Sequence, residues 1–148
     1  MNEYYVMSIE ETEQEIVEEF EVFTDWMGKY EHIIELGNSV PKIDEKYKDE
    51  IHEIKGCQSK VWVHSELKDG HIFYTADSDA IITKGLVGLI VRVFTGHTPG
   101  EILKADLSFI DKIGLHEHLS PTRSNGLTAM IKQIKLDALA HQALATKK

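Results

Sequence analysis

The 148-residue sequence contains one cysteine, Cys57, within Gly56-Cys57-Gln58-Ser59-Lys60-Val61-Trp62-Val63. One thiol closes no intramolecular disulfide and supplies no multi-thiolate metal site. The chemistry left to it is that of a single sulfur nucleophile or sulfur carrier. Gly56 relaxes the backbone before it, and Val61, Trp62 and Val63 read as a strand after it. Cys57 is therefore expected at a loop tip where a strand begins, a place from which loop residues act on a rigid scaffold. The opposing reading is a buried cysteine packed as a small hydrophobe. The polar flanks Lys55, Gln58, Ser59 and Lys60 favour the partly exposed, cation-flanked setting of a reactive thiol, and on these residues both readings stand.

The other chemical candidates are weaker. His116-Glu117-His118 is the tightest histidine cluster, but it has no third ligand at a recognisable spacing and no HExxH pattern, so it reads as a solvated loop. His52 and His64 lie near Cys57 in sequence and would be needed as a base for a cysteine-dependent hydrolase, yet no local cysteine-protease signature surrounds Cys57. No glycine-rich phosphate loop is present. Asp77 and Asp79 could form a carboxylate pair for acid–base work, but two acids before a helix more often cap it. Arg123 falls in the first turn of a helix opened by Ser120-Pro121. A cation there opposes the helix dipole, which hints at a carboxylate or anion partner; the alternative is an ordinary exposed arginine.

These residues need elements to hold them. Ser8-Ile9-Glu10-Glu11 fits a capping box, with Ile16, Phe20, Phe23 and Met27 at helical spacing after it. The glutamate-rich first 21 residues thus read as helix and not as a disordered tail. Asp25 can cap a second helix with Met27, Tyr30, Ile33 and Ile34 inside, closed by Gly37. Asn38 to Asp49 reads as loop with one turn of helix. A short strand over His52–Ile54, a stronger one over Lys60–Leu67, the turn Lys68-Asp69-Gly70 and a return over His71–Thr75 make a small antiparallel sheet. Asp77-Ser78-Asp79 opens an apolar helix through Phe94, in which Gly85 and Gly88, three apart, invite close approach of another backbone. Thr98-Pro99-Gly100-Glu101 is a strong helix start. Phe109–Ile113 is a short helix ended by Gly114, and the last helix buries Leu127, Met130, Ile131, Ile134 and Ala138. Strands grouped between runs of helices give an α+β class with about three strands.

The length suits one domain, residues 1–148, burying roughly 70% of its unfolded surface. The net charge of −9 disfavours nucleic acid, whose phosphates need a Lys/Arg surface, and allows a cationic protein partner. The longest apolar stretch, Gly85 to Val91, is far short of the ~20 residues that span a membrane. The N-terminus lacks the pattern of a signal peptide, so a reducing cytoplasm is the expected compartment.

Four segments in order resemble the SufE family, sulfur-acceptor partners of cysteine desulfurases in iron–sulfur cluster assembly. They are Trp26-Met27-Gly28-Lys29-Tyr30-Glu31-His32-Ile33-Ile34-Glu35-Leu36-Gly37, Gly56-Cys57-Gln58-Ser59-Lys60-Val61-Trp62, Asp77-Ser78-Asp79-Ala80-Ile81-Ile82-Thr83-Lys84-Gly85-Leu86 and Leu119-Ser120-Pro121-Thr122-Arg123-Ser124-Asn125-Gly126-Leu127. Gly-Cys-Gln-Ser is the most specific. Lys60, where Gln is common, and the longer glutamate-rich first helix depart from the family pattern.

The resemblance implies a SufE/IscU-like fold and a sulfur acceptor and activator of a SufS/CsdA-like cysteine desulfurase. Cys57 would carry sulfur as a persulfide and relay it to a downstream cluster-assembly acceptor. The pyridoxal phosphate belongs to the partner, and this chain needs no cofactor or metal. Lys60 or Arg123 would raise the thiolate fraction of Cys57, and Arg123 and Asp79 would shape the acceptor loop or the partner interface. The Cys57 side chain is expected to be partly shielded at rest. The alternatives are a regulatory module that binds the desulfurase without accepting sulfur and, from another class, a cysteine-dependent hydrolase.

Overall fold

The computed structural model describes residues 7–146. Met1–Val6 of the glutamate-rich N-terminal stretch lie outside the described residues. Helices α1 (Ile9–Glu21) and α2 (Trp26–Gly37) come first, then a 3-10 turn over Glu45–Tyr47. An antiparallel hairpin follows, β1 (Val61–Lys68) and β2 (His71–Ser78). The helices after it are α3 (Ile81–Phe94), α4 (Pro99–Lys104), α5 (Phe109–Lys112), α6 (Leu115–His118) and α7 (Pro121–Thr146). The class is α+β, with a small antiparallel sheet among helices.

Local chemistry sets the boundaries. Ser8 and Glu11 form the capping box of α1, Asp25 accepts the Gly28 N–H at the start of α2, and Thr98 and Glu101 form a second box at α4. Each satisfies amides that a helix start leaves without partners. The hairpin turns through Asp69 (φ 51°) and Gly70 (φ 80°), the doubly left-handed turn that matches strand twist.

The core forms around α3. This helix is apolar nearly all round and is buried from Ile82 to Phe94 except at Lys84 and Arg92, as expected of a central helix. It packs against α1, α2, both strands and α7. The expected close approach at its glycines is present. A Cβ on Gly85 would land on the Ile33 carbonyl of α2, and one on Gly88 would stand 3.2 Å from the Leu36 carbonyl oxygen.

Several elements differ from the sequence expectation. The third strand at His52–Ile54 is reduced to one bridge, Glu53 opposite Trp62. Its two hydrogen bonds, Ile54 N–H to Val61 O (2.8 Å) and Val63 N–H to His52 O (3.0 Å), pin the segment to β1. α2 ends at Gly37 as expected, but without a left-handed turn: Asn38 caps it at φ −72°, and the glycine serves the packing, since a Cβ there would come 3.0 Å from Gly85 N. Met27 is 65% exposed because the buried side of α2 runs through Ile33 and Gly37. His116-Glu117-His118 is helix α6 and not a loop, with His118 stacked on Trp26 at 4.7 Å.

Candidate functional site

Cys57 lies in the turn that joins the Glu53–Trp62 bridge to β1, at the loop tip expected of it. Gly56 takes φ +93°, a conformation that strains other residues, and a Cβ there would stand 3.2 Å from Ala129 of α7. Gly126 of α7 is the other half of this contact. A Cβ at Gly126 would sit 3.5 Å from Cys57 Sγ, so the small residues of α7 let the loop lie against it. The sulfur itself donates to the Gly126 carbonyl oxygen at 3.5 Å.

Cys57 is half-buried. Burial pushes its thiol pKa up, since removal from water disfavours the charged form. This corrects the expectation that Lys60 or Arg123 favours the thiolate. The Lys60 and Arg123 charges do not offset the burial, and the partner of the sulfur is a carbonyl, which stabilises S–H and repels S⁻.

Beside the sulfur is a cavity of about 110 Å³ lined by Cys57, Gln58, Ser59, Thr83, Arg123 and Met130 among others. Arg123 and Cys57 therefore share one wall system although 66 positions separate them in sequence (123 − 57). Ser120 caps α7, accepting the Arg123 N–H at 3.3 Å on its side chain. The Arg123 side chain is exposed, with its guanidinium over the Tyr30 ring at 5.8 Å. Among the described residues no carboxylate forms a salt bridge with it, Asp79 included. Tyr30 as its platform went unread in the sequence, although it lies in one of the four resembling segments.

Asp79 does not line the cavity, and it does not cap α3. Ala80 occupies the cap position without a side-chain bond. The Asp79 carboxylate instead accepts the Lys60 N–H at 3.1 Å, and its own N–H donates to Lys60 O at 3.1 Å. Ser78 Oγ donates to the same carbonyl at 2.8 Å. Asp79 thus fixes the end of the Cys57 loop three residues past the sulfur. Asp77 is not its acid–base mate. It pairs with Lys48 at 2.7 Å and Lys84 at 3.5 Å. Burial works to raise its pKa, but Lys48, the Ser78 N–H and Lys84 outweigh that and hold the carboxyl below its usual range.

Neither His52 nor His64 serves Cys57. His52 is bound to Asp49 at 2.8 Å, His64 stacks on Tyr47 at 3.7 Å, and both line a different cavity with Asp137 and His141. The nucleophile–base hydrogen bond that a hydrolase needs is not formed. Among the described residues, no three His, Cys, Asp or Glu side chains gather as a metal site, and no helix is long and apolar enough to cross a membrane.

The sequence profile of the SufE family, described as an Fe-S metabolism associated domain, matches residues 14–138. An uncharacterised SufE-like protein of Rhizobium meliloti is 36% identical over 129 residues, covering 84% of this chain and 92% of that protein. A second, from Synechocystis, is 36% identical over 127 residues, covering 86% of this chain and 80% of that protein. The fold is similar to the solution structure of a hypothetical protein from Thermus thermophilus, with a TM-score of 0.72 at 21% identity, covering 90% of this chain and 96% of that one.

Proposed function

Because this chain belongs to the SufE family of Fe-S metabolism associated domains, we propose that it accepts sulfur on Cys57 from a cysteine desulfurase and relays it toward iron–sulfur cluster assembly. The observation that carries the reading is the seat of the chain's lone thiol. It is half-buried at a loop tip, against a carbonyl, with a small cavity beside it.

In the proposed step the Cys57 thiolate attacks the terminal sulfur of a persulfide on the donor. A new S–S bond forms on Cys57, the donor's S–S bond breaks, and the donor cysteine leaves as a thiolate. No net oxidation occurs and no cofactor of this chain takes part; the pyridoxal phosphate that forms the donor persulfide belongs to the desulfurase. In the closed seat Cys57 is held as S–H. Docking of the donor must draw the sulfur away from the Gly126 carbonyl and admit a base or water to take its proton. Asp79 keeps the far end of the loop anchored during this movement. Arg123 stands at the cavity mouth with its fork open to a carboxylate of the partner or to the carried sulfur anion. A shielded persulfide is also guarded from reduction and oxidation.

Mass spectrometry after incubation with a desulfurase and cysteine tests the reading. One added sulfur atom on Cys57 is expected, and none on Cys57→Ser, which retains the fold because oxygen replaces sulfur with little change in volume. Stimulation of the desulfurase by Cys57→Ser equal to that by the parent, with no adduct on the parent, would make the protein a regulator instead.

A further inference from the structure

The cavity that holds His52 and His64 also contains a serine–histidine contact. Ser65 of β1 and His141 of α7 are 76 positions apart, yet the Ser65 hydroxyl and His141 Nε2 meet at 2.9 Å. Both residues are half-buried, and both line this cavity of about 270 Å³. None of its lining residues belongs to the cysteine cavity. Side-chain hydroxyls mostly bond backbone or water. Among the described residues the Ser65 hydroxyl has no hydrogen-bond partner besides His141, so the imidazole alone places its oxygen.

The two elements bring the parts together by their periods. Val63 and Ser65, two apart on β1, lie on the same side of the strand. Gln133, Asp137 and His141, four apart on α7, share one helix face. All five line the cavity. Gln133 Nε2 donates to Asp137 Oδ1 at 3.0 Å, and its second N–H has no partner among the described residues. Burial raises the Asp137 pKa, against the Gln133 bond and the charges of His141, His52 and His64. A carboxylate withdrawn from water gains from a cation beside it, so a proton taken up by His141 is answered by Asp137 one helical turn away. Ile51, 88% exposed, and Val63 give the cavity an apolar side.

A hydroxyl, a base in hydrogen-bond reach of it and an acid near the base are the parts of a covalent acyl-transfer centre. We propose that Ser65 and His141 form such a centre, which takes the acyl group of a small apolar carboxylic ester. His141 Nε2 takes the hydroxyl proton as Ser65 Oγ attacks the ester carbonyl carbon. A C–O bond to Ser65 forms, and the unpaired Gln133 N–H is the donor available to the oxyanion. The ester C–O bond then breaks, and the alcohol leaves with the proton from His141. Water attacks acyl-Ser65 with His141 again as base, the acid is released, and Ser65 regains its proton. No oxidant or reductant is needed. His52 is engaged by Asp49 and His64 is stacked on Tyr47, so both serve as walls. No step uses Cys57, so this centre stands or falls independently of sulfur acceptance.

Diisopropyl fluorophosphate and 4-nitrophenyl acetate, applied to the full chain, test this. Peptide mass mapping after the first should show one diisopropylphosphoryl group on Ser65, with fluoride displaced. The second should leave an acetyl group on the same oxygen. His141→Gln can still accept the Ser65 bond but takes no proton, so labelling of Ser65 should slow about 100-fold with unchanged circular dichroism. Asp137→Asn should slow it severalfold. Ser65→Ala should remove the label; if that variant does not fold, the position of the label in the unmodified protein decides the matter. No label on Ser65, label on other residues only, or equal labelling of Ser65 in His141→Gln overturns the proposal and leaves the contact as a tie between β1 and α7.

Discussion

Two contacts in this molecule depend on glycine. Where α2 crosses α3, Gly37 and Gly85 set backbone against backbone, and a Cβ on Gly85 would overlap the Ile33 carbonyl. Where the Cys57 loop meets α7, the same residue type leaves ordinary van der Waals room, with a Gly126 Cβ 3.5 Å from the sulfur. The first contact is buried in the core, between two helices that cannot give. The second is a part-buried contact between a loop and a helix, one S–H···O bond with Gly56 lying close to Ala129 beside it. Close packing fixes a scaffold, whereas a weak polar contact over small residues can be made and released.

The difference can be broken from either side. Gly85→Ala should be the most damaging change, costing about 3 kcal/mol or more because backbone must move to admit the methyl. Thermal melting would show a fall of roughly 10 °C, and a variant melting with the parent would mean that α2 and α3 separate easily. At the loop the losses should fall on transfer and leave stability alone. Arg123→Ala should slow sulfur acceptance about tenfold, equivalent to roughly 1.4 kcal/mol. Arg123→Lys should lose less, since it keeps the charge and gives up the planar fork. A large drop in melting temperature with normal transfer by the folded fraction would make Arg123 a structural residue.

Gly126→Ala sharpens the comparison further. Its methyl fits, so the helix should gain about 0.5–1 kcal/mol from propensity, while acceptance slows severalfold because the added group takes space beside the sulfur. Unchanged acceptance would mean that the loop leaves α7 before the sulfur arrives. The smallest effect concerns the thiol itself. Because burial raises its pKa, less thiolate is present at any pH below that value, so iodoacetamide should react with Cys57 a few-fold more slowly than with a free thiol. The inflection of rate against pH should lie above the ordinary thiol value. Equal rates would remove the shielding.

The legible parts of the fold were those governed by neighbours in sequence. Ser8, Asp25 and Thr98 cap the helices that their spacing announces, Asp69-Gly70 makes the hairpin turn, and Gly85 and Gly88 mark the tight crossing. The misread parts depend on partners far along the chain. Asp79 has the look of a helix cap, but the Lys60 amide claims its carboxylate, and Lys48 and Lys84 claim Asp77. Gly37 sits where a helix-closing glycine would, yet its neighbour is Gly85. At the site, the loop-tip position of Cys57 was readable from Gly56 and the strand after it. The Gly126 carbonyl and the Tyr30 platform were not, because no local pattern says which faces of α7 and α2 the loop will meet.

The pinned hairpin beneath Cys57 sets a limit on distance. Ile54 N–H to Val61 O and the Asp79–Lys60 pair tie down both ends of the loop. Only the six residues 55–60 lie between Ile54 and Val61 (61 − 54 − 1). Three residues out and three back span roughly 10 Å at full extension. The sulfur therefore works as the tip of a short arm with a fixed shoulder, and cannot travel between remote stations on its own. Donor and recipient must each bring the reacting sulfur within that radius, so whatever hands sulfur to this protein and whatever takes it away must compete for the same patch and visit it in turn.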